Sequence, residues 1–385
     1  MIYLATIFTV IIIGLVLFFT DQKTMTNGWT GGQFSLFRIL FGTYLFIHFI
    51  LAWSDAPVFV RVFIGLAALA AIFFILGYRD KLAALFIGCV LACQFTHNPL
   101  IANPGIPYTE WILLACCFIP SAPYGSLPAR NHAYLEKRWY MPNEIFIASW
   151  IVLAVSYSYS GYTKLLNPSW VEGNSIRFVL ENSLELLSWL VLCIELFFAP
   201  LVLFARLRPV MWCVMLVILV GFVCLLNFPD LTAAMILFHL FTFNPAWVKP
   251  KPLSDDAILY YDGYCALCQG TIRFILSEDR LEKLRFSPLQ GHSFQHYLLR
   301  HKIISLPDTI ILVQGSSMAI KSDAVIVIFT YLGGLWRIFG MLLKVIPRVI
   351  RDSAYDFVGY CRYKIFGRTT TCPVLPPALI NRFVN

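Results

Sequence analysis

Long apolar runs without charge constrain this chain more than any other feature. The first twenty residues, MIYLATIFTVIIIGLVLFFT, contain no charged side chain, and similar runs recur up to Trp247. A bilayer core needs about 20 mostly apolar residues for each crossing helix. In this chain 59% of residues are hydrophobic and 13% are charged, whereas about 25% are charged in soluble domains. The pattern therefore predicts an integral membrane protein.

The apolar runs predict about nine membrane-spanning helices, with eight or ten as alternatives. The first run is taken as a retained helix, because it shows neither the basic start nor the small-residue cleavage site of a secretory signal. The predicted spans lie near residues 1–20, 34–53, 57–77, 81–96, 108–122, 143–166, 184–205, 209–227 and 231–247.

The composition changes after Trp247, where charges and prolines return. Two Lys-Pro pairs in KPKPLSDD, residues 249–256, cannot continue a helix. We therefore divide the chain into a multi-span α-helical membrane domain (1–248), a linker (249–256), a small α/β domain (257–375) and a tail (376–385).

Basic residues indicate the orientation in the membrane, because cytoplasmic loops are enriched in lysine and arginine. Ten basic residues follow odd-numbered spans, namely Lys23, Arg79, Lys81, Arg130, Lys137, Arg138, Arg206, Arg208, Lys249 and Lys251. Three follow even-numbered spans, namely Arg61, Lys164 and Arg177. We therefore expect the C-terminal domain in the cytoplasm, with the chain in the cytoplasmic membrane of a bacterium. This bias accounts for much of the net charge of +8, so the charge does not call for a nucleic-acid partner.

The segment after the linker predicts the order strand, helix, strand, helix, strand, strand, helix. The strand-like runs are AILYYDG, LRFSPL, DTIILVQ and SMAIKS, and the last two form a hairpin around Gly315. The first two helix-like runs are CALCQGTIRFILSED and HSFQHYLL. This order resembles the thioredoxin-like layout.

Cys265 and Cys268 stand three positions apart at the turn from the first strand to the first helix. The amino terminus of a helix presents free N–H groups and a partial positive charge, which favour a thiolate. We expect an exposed Cys265 to attack a disulfide and Cys268 to resolve the mixed disulfide. In a reducing cytosol a paired cysteine motif is more often catalytic or metal-binding than a structural disulfide.

Asp262 precedes the cysteine pair and allows three interpretations. When ionised, it raises the pKa of a nearby thiol. When partly buried, it could accept and return the proton that Cys268 must lose. It could also be a strand-end turn residue before Gly263.

The run D-G-Y-C-A-L-C resembles the Asp-x-x-Cys-x-x-Cys signature of the DCC family of thiol-disulfide oxidoreductases. The resemblance covers roughly residues 257–375 and includes LRFSPLQG, PDTIILV, KSDA, LLKVIPRVIRDSAYDFV and RYKIFGRTTTC. It implies a thioredoxin-like fold with a redox dithiol. Pro307 lies just before a strand, where thioredoxin-like folds place a cis-proline beside the dithiol, although proline is common before strands in general.

The other cysteines leave a zinc site as an alternative. Seven lie in predicted spans, where a free cysteine behaves as a small hydrophobe, namely Cys89, Cys93, Cys116, Cys117, Cys193, Cys213 and Cys224. Cys361 and Cys372 could complete a four-cysteine site, with His292, His296 or His301 as further ligands. The wide spacing of Cys361 and Cys372 departs from zinc motifs, so redox chemistry is favoured and no metal is assigned.

Polar groups in the membrane domain suggest more than an anchor, because they are costly at membrane depth. The run GYTKLLNPSWVEG resembles a Gly-x-x-Lys-Leu…Trp-x-x-Gly segment of vitamin K-dependent γ-carboxylase and of its bacterial relatives, the horizontally transferred transmembrane family. The resemblance implies that Lys164 is a base that deprotonates a reduced quinone. The alternative is a lysine that extends to the membrane interface.

Two further segments resemble the same family, which is matched over roughly residues 30–248. In THNPLIANPGIPYTEW the resemblance implies that His97 donates a hydrogen bond to an oxyanion, whereas a lone loop histidine is more often solvated. In FRILFGTYLFIHF, Arg38 could mark the cytoplasmic edge and His48 could bond within the bundle.

Three functions are consistent with these features. The first is a membrane-bound thiol-disulfide oxidoreductase that exchanges electrons with a protein thiol or disulfide, or with a quinone-like or lipid carrier in the membrane domain. The second is a carboxylase-like membrane enzyme that uses Lys164 as a base, with the dithiol domain as an accessory. The third is a non-enzymatic membrane scaffold whose soluble domain binds zinc or a partner. We favour the first, in which Cys265, Cys268 and Asp262 form the main site.

Residues 335–351, LWRIFGMLLKVIPRVIR, predict an amphipathic helix that Pro347 interrupts. Arg337, Lys344, Arg348 and Arg351 recur on one face, which could lie against anionic headgroups. The apolar face is expected to pack on the sheet of the α/β domain.

Overall fold

The computed structural model describes residues 27–97, 105–130, 139–172, 185–225, 229–302, 309–368 and 377–384. Contacts between residues divide the chain into two units. The helical unit contains Phe37–Ser121 and Met141–Phe243. The α/β unit contains Gly28–Leu36, Ala122–Tyr140 and the residues from Asn244 onward.

The chain is helical up to Phe241 in the described ranges. The helices are α1 (Gly31–Asp55), α2 (Val58–Leu76), α3 (Asp80–His97), α4 (Ile106–Phe118), α5 (Leu127–Arg130), α6 (Asn143–Leu165), α7 (Pro168–Val171), α8 (Glu185–Leu196), α9 (Phe198–Val202), α10 (Arg208–Leu225) and α11 (Pro229–Phe241). The turn after α2 is formed by Gly77, whose φ of 67° lies in the left-handed region that favours glycine.

Three described helices are long and apolar enough to cross a membrane, namely Gly31–Ser54, Val58–Leu76 and Asn143–Leu165. Four shorter apolar helices are Ile106–Phe118, Leu186–Leu196, Arg208–Val223 and Thr232–Phe241. The expected number of about nine spans is therefore wrong for the described part of the chain, and the run at 1–20 lies outside that part. The number was overestimated because some apolar runs are not single helices. The run at 184–205 is divided into α8 and α9, and in the run at 231–247 the helix ends at Phe241.

The α/β unit contains a four-stranded sheet and its flanking helices. The strands are β1 (Ile258–Tyr261), β2 (Arg285–Pro288), β3 (Ile311–Gln314) and β4 (Ser317–Ile320). The helices are α12 (Ala266–Glu278), α13 (His292–Arg300), α14 (Lys321–Leu332), α15 (Gly334–Val345), α16 (Arg348–Phe366) and α17 (Pro377–Ile380). The order strand, helix, strand, helix, strand, strand, helix is confirmed.

The strands lie in the order β2-β1-β3-β4. β1 and β2 are parallel and are connected through α12, whereas β3 runs antiparallel to both β1 and β4. The predicted hairpin between β3 and β4 is confirmed, with Gly315 at a φ of 55° in its turn. Because β1 is one of the two central strands, the end of β1 and the start of α12 lie in the middle of the sheet.

Both faces of this sheet are covered, as the alternation of side chains along a strand allows. On one face Leu259 and Leu312 pack with Ile275 of α12 and Ile328 of α14. On the other face Tyr260 and Ile311 belong to the cluster that contains Phe294 of α13. Because helices protect the strands on both sides, the turn after β1 has a rigid support.

A buried carboxylate fixes the first turn of α1 within the α/β unit. Glu278, at the end of α12, accepts hydrogen bonds from the Thr30 hydroxyl, from the Gly32 N–H at 2.8 Å and from Trp336 Nε1 at 2.6 Å. The first N–H groups of a helix have no partner within the helix, so this carboxylate serves as their cap. A Cβ at position 32 would lie 2.8 Å from the carboxylate, which explains the glycine there.

The residues assigned to a tail also belong to this unit. Arg382 binds Asp279 at 2.5 Å and donates to the carbonyl of Leu284. The backbone of Phe286 in β2 exchanges hydrogen bonds with Arg382 and Val384. Residues 382–384 thus extend the sheet beside β2, and the domain boundary at 375 stays a prediction.

The amphipathic segment differs from its expected packing. Pro347 separates α15 from α16, which confirms the predicted break. However, much of the predicted apolar face is exposed, including Phe339, Leu342 and Ile346, so the expectation that it packs on the sheet is wrong for these residues.

Candidate functional site

The cysteine pair lies where the sequence predicts it, at the junction of β1 and α12. Cys265 is the N-cap residue of α12, with φ −92° and ψ 120°. Its Sγ accepts a hydrogen bond from the N–H of Cys268 at 3.4 Å. A sulfur in this position satisfies one of the free N–H groups of the helix and is exposed to its partial positive charge.

Both thiols are buried, which contradicts the expectation of an exposed Cys265. The relative exposure is 0% for Cys265 and 7% for Cys268, and both belong to the core cluster on one face of the sheet. Burial, followed by the adjacent Cys265 thiol, raises the pKa of Cys268 to about 12. Cys268 is therefore a neutral thiol near pH 7.

A short strap of backbone, Gly367–Arg368, lies directly beside Cys265. Arg368 forms an antiparallel β-bridge with Cys265, and the N–H of Ala266 donates to the carbonyl of Gly367 at 3.5 Å. Gly367 ends α16 with φ 79° and ψ 179°, a conformation that is essentially restricted to glycine. The strap explains part of the burial of Cys265, because it pairs with the backbone of Cys265 itself.

Asp262 is held by four donors from three parts of the unit. Its Oδ1 accepts from the N–H of Tyr264 and from Nε2 of Gln290, both at 3.0 Å. Its Oδ2 accepts from Nη2 of Arg362 at 3.3 Å and from the hydroxyl of Tyr363. The side chain therefore ties the end of β1 to the loop after β2 and to α16.

These donors determine the charge of Asp262. Burial alone would raise its pKa, but the hydrogen bonds from Tyr363, Tyr264 and Gln290 and the charge of Arg362 together lower the pKa below its ordinary value. Asp262 is thus a fixed anion near the dithiol. Its charge contributes to the raised pKa of Cys268, whereas the charge of Arg362 acts in the opposite direction. The turn-residue interpretation fits the bond to Tyr264, and the proton-accepting role stays a prediction.

Three of these partners were not singled out from the sequence, namely Gln290, Arg362 and Tyr363. Arg362 stacks on the ring of Tyr363 at 4.7 Å, and Arg368 of the strap lies over the same ring at 4.6 Å. The signal was present, because Gln290 lies in LRFSPLQG and the other two lie in RYKIFGRTTTC, both of which carry the family resemblance.

The described residues contain no group of three or more His, Cys, Asp or Glu side chains that could hold a metal ion. Cys265, Cys268 and Cys361 are free cysteines there. Cys372 and Pro307 lie outside the described residues, so the alternative of a zinc site with Cys372 and the cis-proline interpretation are both untested.

In the helical unit, Lys164 has an acidic partner that the sequence analysis did not identify. Its Nζ binds both carboxylate oxygens of Glu195 at 2.5 Å and lies 4.7 Å from the centre of the Trp170 ring. Both charged side chains are largely buried. The role of Lys164 as a base stays a prediction.

Other polar residues of the helical unit are also enclosed. The side chain of His97 lies outside the described residues. Arg38 is fully buried and donates to the carbonyl of Ile75 at 3.4 Å, and its interpretation as a marker of the cytoplasmic edge stays a prediction. His239 was not singled out; its ring stacks on Trp212 at 4.6 Å, and its Nδ1 lies 3.3 Å from the hydroxyl of Tyr157.

Comparisons with known proteins concern the C-terminal part of the chain. The sequence model of the DCC1-like thiol-disulfide oxidoreductase family matches residues 259–368. The uncharacterized protein YuxK of Bacillus subtilis (strain 168) is 34% identical over 133 residues, which cover 34% of this chain and 94% of that protein. A chloroplastic DCC family protein of Arabidopsis thaliana is also 34% identical over 133 residues, covering 33% of this chain and 76% of that protein.

No solved structure matches the chain significantly. The resemblance of the membrane domain to the horizontally transferred transmembrane family stays a hypothesis. The matched region includes the cysteine pair, Asp262 and every residue of strands β1 to β4 except Ile258. Through this region the chain belongs to the DCC1-like thiol-disulfide oxidoreductase family.

Proposed function

We propose that this protein is a membrane-associated thiol-disulfide oxidoreductase in which Cys265 is the attacking thiolate and Cys268 the resolving thiol. The observation that carries the proposal is the difference between the two sulfurs. Cys265 Sγ caps the amino terminus of α12, whereas burial keeps Cys268 protonated near neutral pH. Family membership supports the reaction class, and the asymmetry of the pair supports the roles.

In the first step the Cys265 thiolate attacks one sulfur of a substrate disulfide. A new S–S bond forms between Cys265 and that sulfur, the substrate S–S bond breaks, and the second substrate sulfur leaves as a thiolate that takes up a proton. The partial charge at the start of α12 stabilises the thiolate before attack.

In the second step Cys268 loses its proton and attacks Cys265 Sγ. The Cys265–Cys268 disulfide forms and the first substrate sulfur leaves as a thiolate, so the substrate gains two electrons and the dithiol loses two. The backbone nitrogen of Cys268 lies 3.4 Å from Cys265 Sγ, so the resolving residue is already beside the sulfur that it attacks. The reverse sequence oxidises a substrate dithiol.

Access to Cys265 requires a local opening, since the thiol is fully buried. The strap Gly367–Arg368 is the candidate for this movement because it pairs with Cys265 through backbone alone. We propose that a substrate disulfide displaces the strap and occupies the place beside Cys265.

Membrane association is supported by the three helices that are long and apolar enough to cross a bilayer. A multi-pass arrangement, a cytoplasmic dithiol and a quinone-like carrier remain parts of the proposal. A carboxylase-like function is less well supported, because the side chain of Lys164 is engaged in an ion pair with Glu195.

Trapping of a mixed disulfide tests the proposal. Cys268→Ser in the full-length protein should accumulate a covalent adduct with a disulfide substrate through Cys265, because the resolving thiol is missing. Cys265→Ser should accumulate none. Peptide mass spectrometry identifies the adducted cysteine. Equal trapping by the two variants, or an adduct on Cys268, would contradict the assigned roles, and failure of both variants to react would contradict the reaction class.

A further inference from the structure

The junction of α15 and α16 forms an exposed apolar surface that the proposed function does not use. We call residues 341–350, MLLKVIPRVI, the apolar tip. Five of its apolar side chains are at least half exposed, namely Met341, Leu342, Val345, Val349 and Ile350. The two most exposed, Val345 and Val349, are 82% and 78% exposed and lie on either side of Pro347.

The apolar surface continues along α16. Phe357 and Tyr360 follow Val349 by eight and eleven positions, which places them on the same side of the helix, and both are exposed. Exposed apolar residues that occur singly are normal, but a contiguous apolar surface marks an interaction site.

The charged residues of the apolar tip indicate the chemistry of its partner. Residues 333–351 contain no acidic residue, and Lys344 and Arg348 stand between the apolar side chains. Arg348 is exposed although it contacts Asp323 and Asp352 at 3.3 Å. Apolar side chains with interspersed cations are typical of segments that lie in the interface of an anionic bilayer, where lysine and arginine reach the headgroups.

The expected basic face does not account for this surface. Arg351 is largely buried and binds Asp323 at 2.7 Å, and Arg337 donates to the carbonyl of Lys249 at 2.6 Å. Of the four expected cations, these two are directed to partners within the unit. The exposed feature of the tip is therefore its apolar side chains, with charge in a supporting role.

A second observation connects α15 to a membrane. The N–H of Leu335, in the first turn of α15, donates to Gln33 Oε1 at 3.2 Å, and Trp336 shares the carboxylate of Glu278 with Gly32. Gln33 and Gly32 belong to the first turn of α1, which is long and apolar enough to cross a bilayer. The first turn of a spanning helix lies near the membrane surface. The start of α15 is thus held at a position expected at that surface.

We propose that the apolar tip inserts its side chains into the boundary between headgroups and acyl chains of the bilayer that contains α1. This inference is independent of the dithiol chemistry. It assigns a role to α16, which begins in the tip and ends at the strap beside Cys265. A bilayer that holds the tip fixes the amino-terminal end of α16. Near the other end of this helix, Arg362 and Tyr363 donate hydrogen bonds to Asp262.

A photo-crosslinking amino acid tests the insertion in the full-length protein, reconstituted in vesicles of phosphatidylcholine and phosphatidylglycerol. One variant carries the probe at Val345, and the matched control carries it at Leu299. Leu299 is also apolar and helical and is 79% exposed, but α13 contributes to the opposite face of the sheet. We expect lipid adducts at Val345 to exceed those at Leu299 by about tenfold or more.

A second experiment keeps the probe at Leu342 and introduces Val345→Asp with Val349→Asp. Both positions are exposed, so the fold should be retained, whereas charge in the apolar boundary should reduce lipid adducts by about tenfold. Equal lipid labelling at Val345 and Leu299, labelling that is unchanged by the two aspartates, or crosslinks from Val345 to a second copy of the protein would overturn the proposal. None of these outcomes affects the trapping experiment at Cys268.

Discussion

The carboxylate of Glu278 accepts a hydrogen bond from the backbone N–H of Gly32 at 2.8 Å, across a separation of 246 positions. Glu278 is at the end of the helix that Cys265 caps, and Gly32 is in the first turn of α1. One short helix therefore carries Cys265 at its amino terminus and the cap of a candidate membrane span at its carboxyl terminus.

Replacement of Glu278 by alanine should destabilise the α/β unit. The change leaves the Gly32 N–H and the Thr30 hydroxyl buried without their acceptor, and it removes the acceptor of the partly buried Trp336 Nε1. Buried groups that lose their partner cost about 1–3 kcal/mol each. We expect a loss of about 3 kcal/mol or more in the free energy of unfolding, measured by thermal or denaturant unfolding of the solubilised protein.

Asp356→Ala is the matched control, because this carboxylate is exposed and binds Lys321 at the surface. It should cost less than about 1 kcal/mol. Burial raises the pKa of Glu278, so the folded protein binds this proton more tightly than the unfolded chain does. The stability gained from protonation is therefore present at acidic pH and is lost as pH rises through the raised pKa. Glu278→Gln should remove this dependence; a variant that keeps the same pH profile would exclude Glu278 as its source.

Asp262 should produce the opposite dependence on pH. Its pKa is lowered in the folded protein, so its contribution is present above the pKa of the unfolded chain and is lost as pH falls through the lowered value. Asp262→Asn should therefore reduce stability at neutral pH and weaken the loss seen on acidification below about pH 4. Unfolding midpoints measured across this range would contradict the assignment if the two proteins lost stability in parallel.

The two charges near Cys268 should shift its titration in opposite directions. Asp262→Asn removes a negative charge that raises the pKa of Cys268, so that pKa should fall. Arg362→Gln removes a positive charge that lowers the pKa of Cys268, so that pKa should rise. The pH dependence of alkylation at Cys268, followed by peptide mass spectrometry, measures both effects. Shifts of the same sign in the two variants would show that the carboxylate and guanidinium do not act through their charges.

Gly367→Ala should make Cys265 more accessible to alkylation. The backbone at position 367 has a φ of 79°, which strains any residue with a Cβ by about 1–3 kcal/mol, and nothing lies within 4 Å of an added Cβ. Strain that is relieved when the strap opens should accelerate labelling of Cys265 roughly 5- to 100-fold.

Gly359→Ala provides the control for this experiment. An added Cβ at position 359 also meets nothing within 4 Å, but the residue lies inside α16 and has no positive φ. In the Gly359→Ala protein, Cys265 should be alkylated at the same rate as in the unsubstituted protein. Equal acceleration in both variants would indicate a general loosening of α16 and not an opening of the strap.

The element order and the place of the dithiol could be predicted because both depend on local pattern. The strands have short apolar runs, and Cys265 directly precedes an amphipathic helix. The burial of Cys265 could not be predicted in this way, since its neighbour Arg368 lies about a hundred positions away. Hydropathy measured the length of apolar runs correctly but did not locate breaks such as the one at Phe197, so it overestimated the number of spans.

Asp262 shows a similar limit. The sequence indicated an acidic residue beside the cysteines, but its charge state depends on Arg362 and Tyr363 in a distant helix. The role of Glu278 could not be predicted from the sequence, because an acidic residue near the end of an exposed helix has the same local sequence pattern. Only the contacts with Thr30 and Trp336 distinguish it.

The cap that Glu278 provides has a consequence for the order of events at the ribosome. Glu278 follows Gly32 by 246 positions, and chains are synthesised at about 5–20 residues per second. Glu278 therefore emerges from the ribosome roughly 12–50 s after Gly32. During this interval the first turn of α1 exists without its acceptor, while later helices are already being made. The α/β unit therefore cannot fold in the usual amino-terminal-first order, and it closes only when Arg382 and Val384 reach β2. A factor that shields the start of α1 during synthesis would act within this interval.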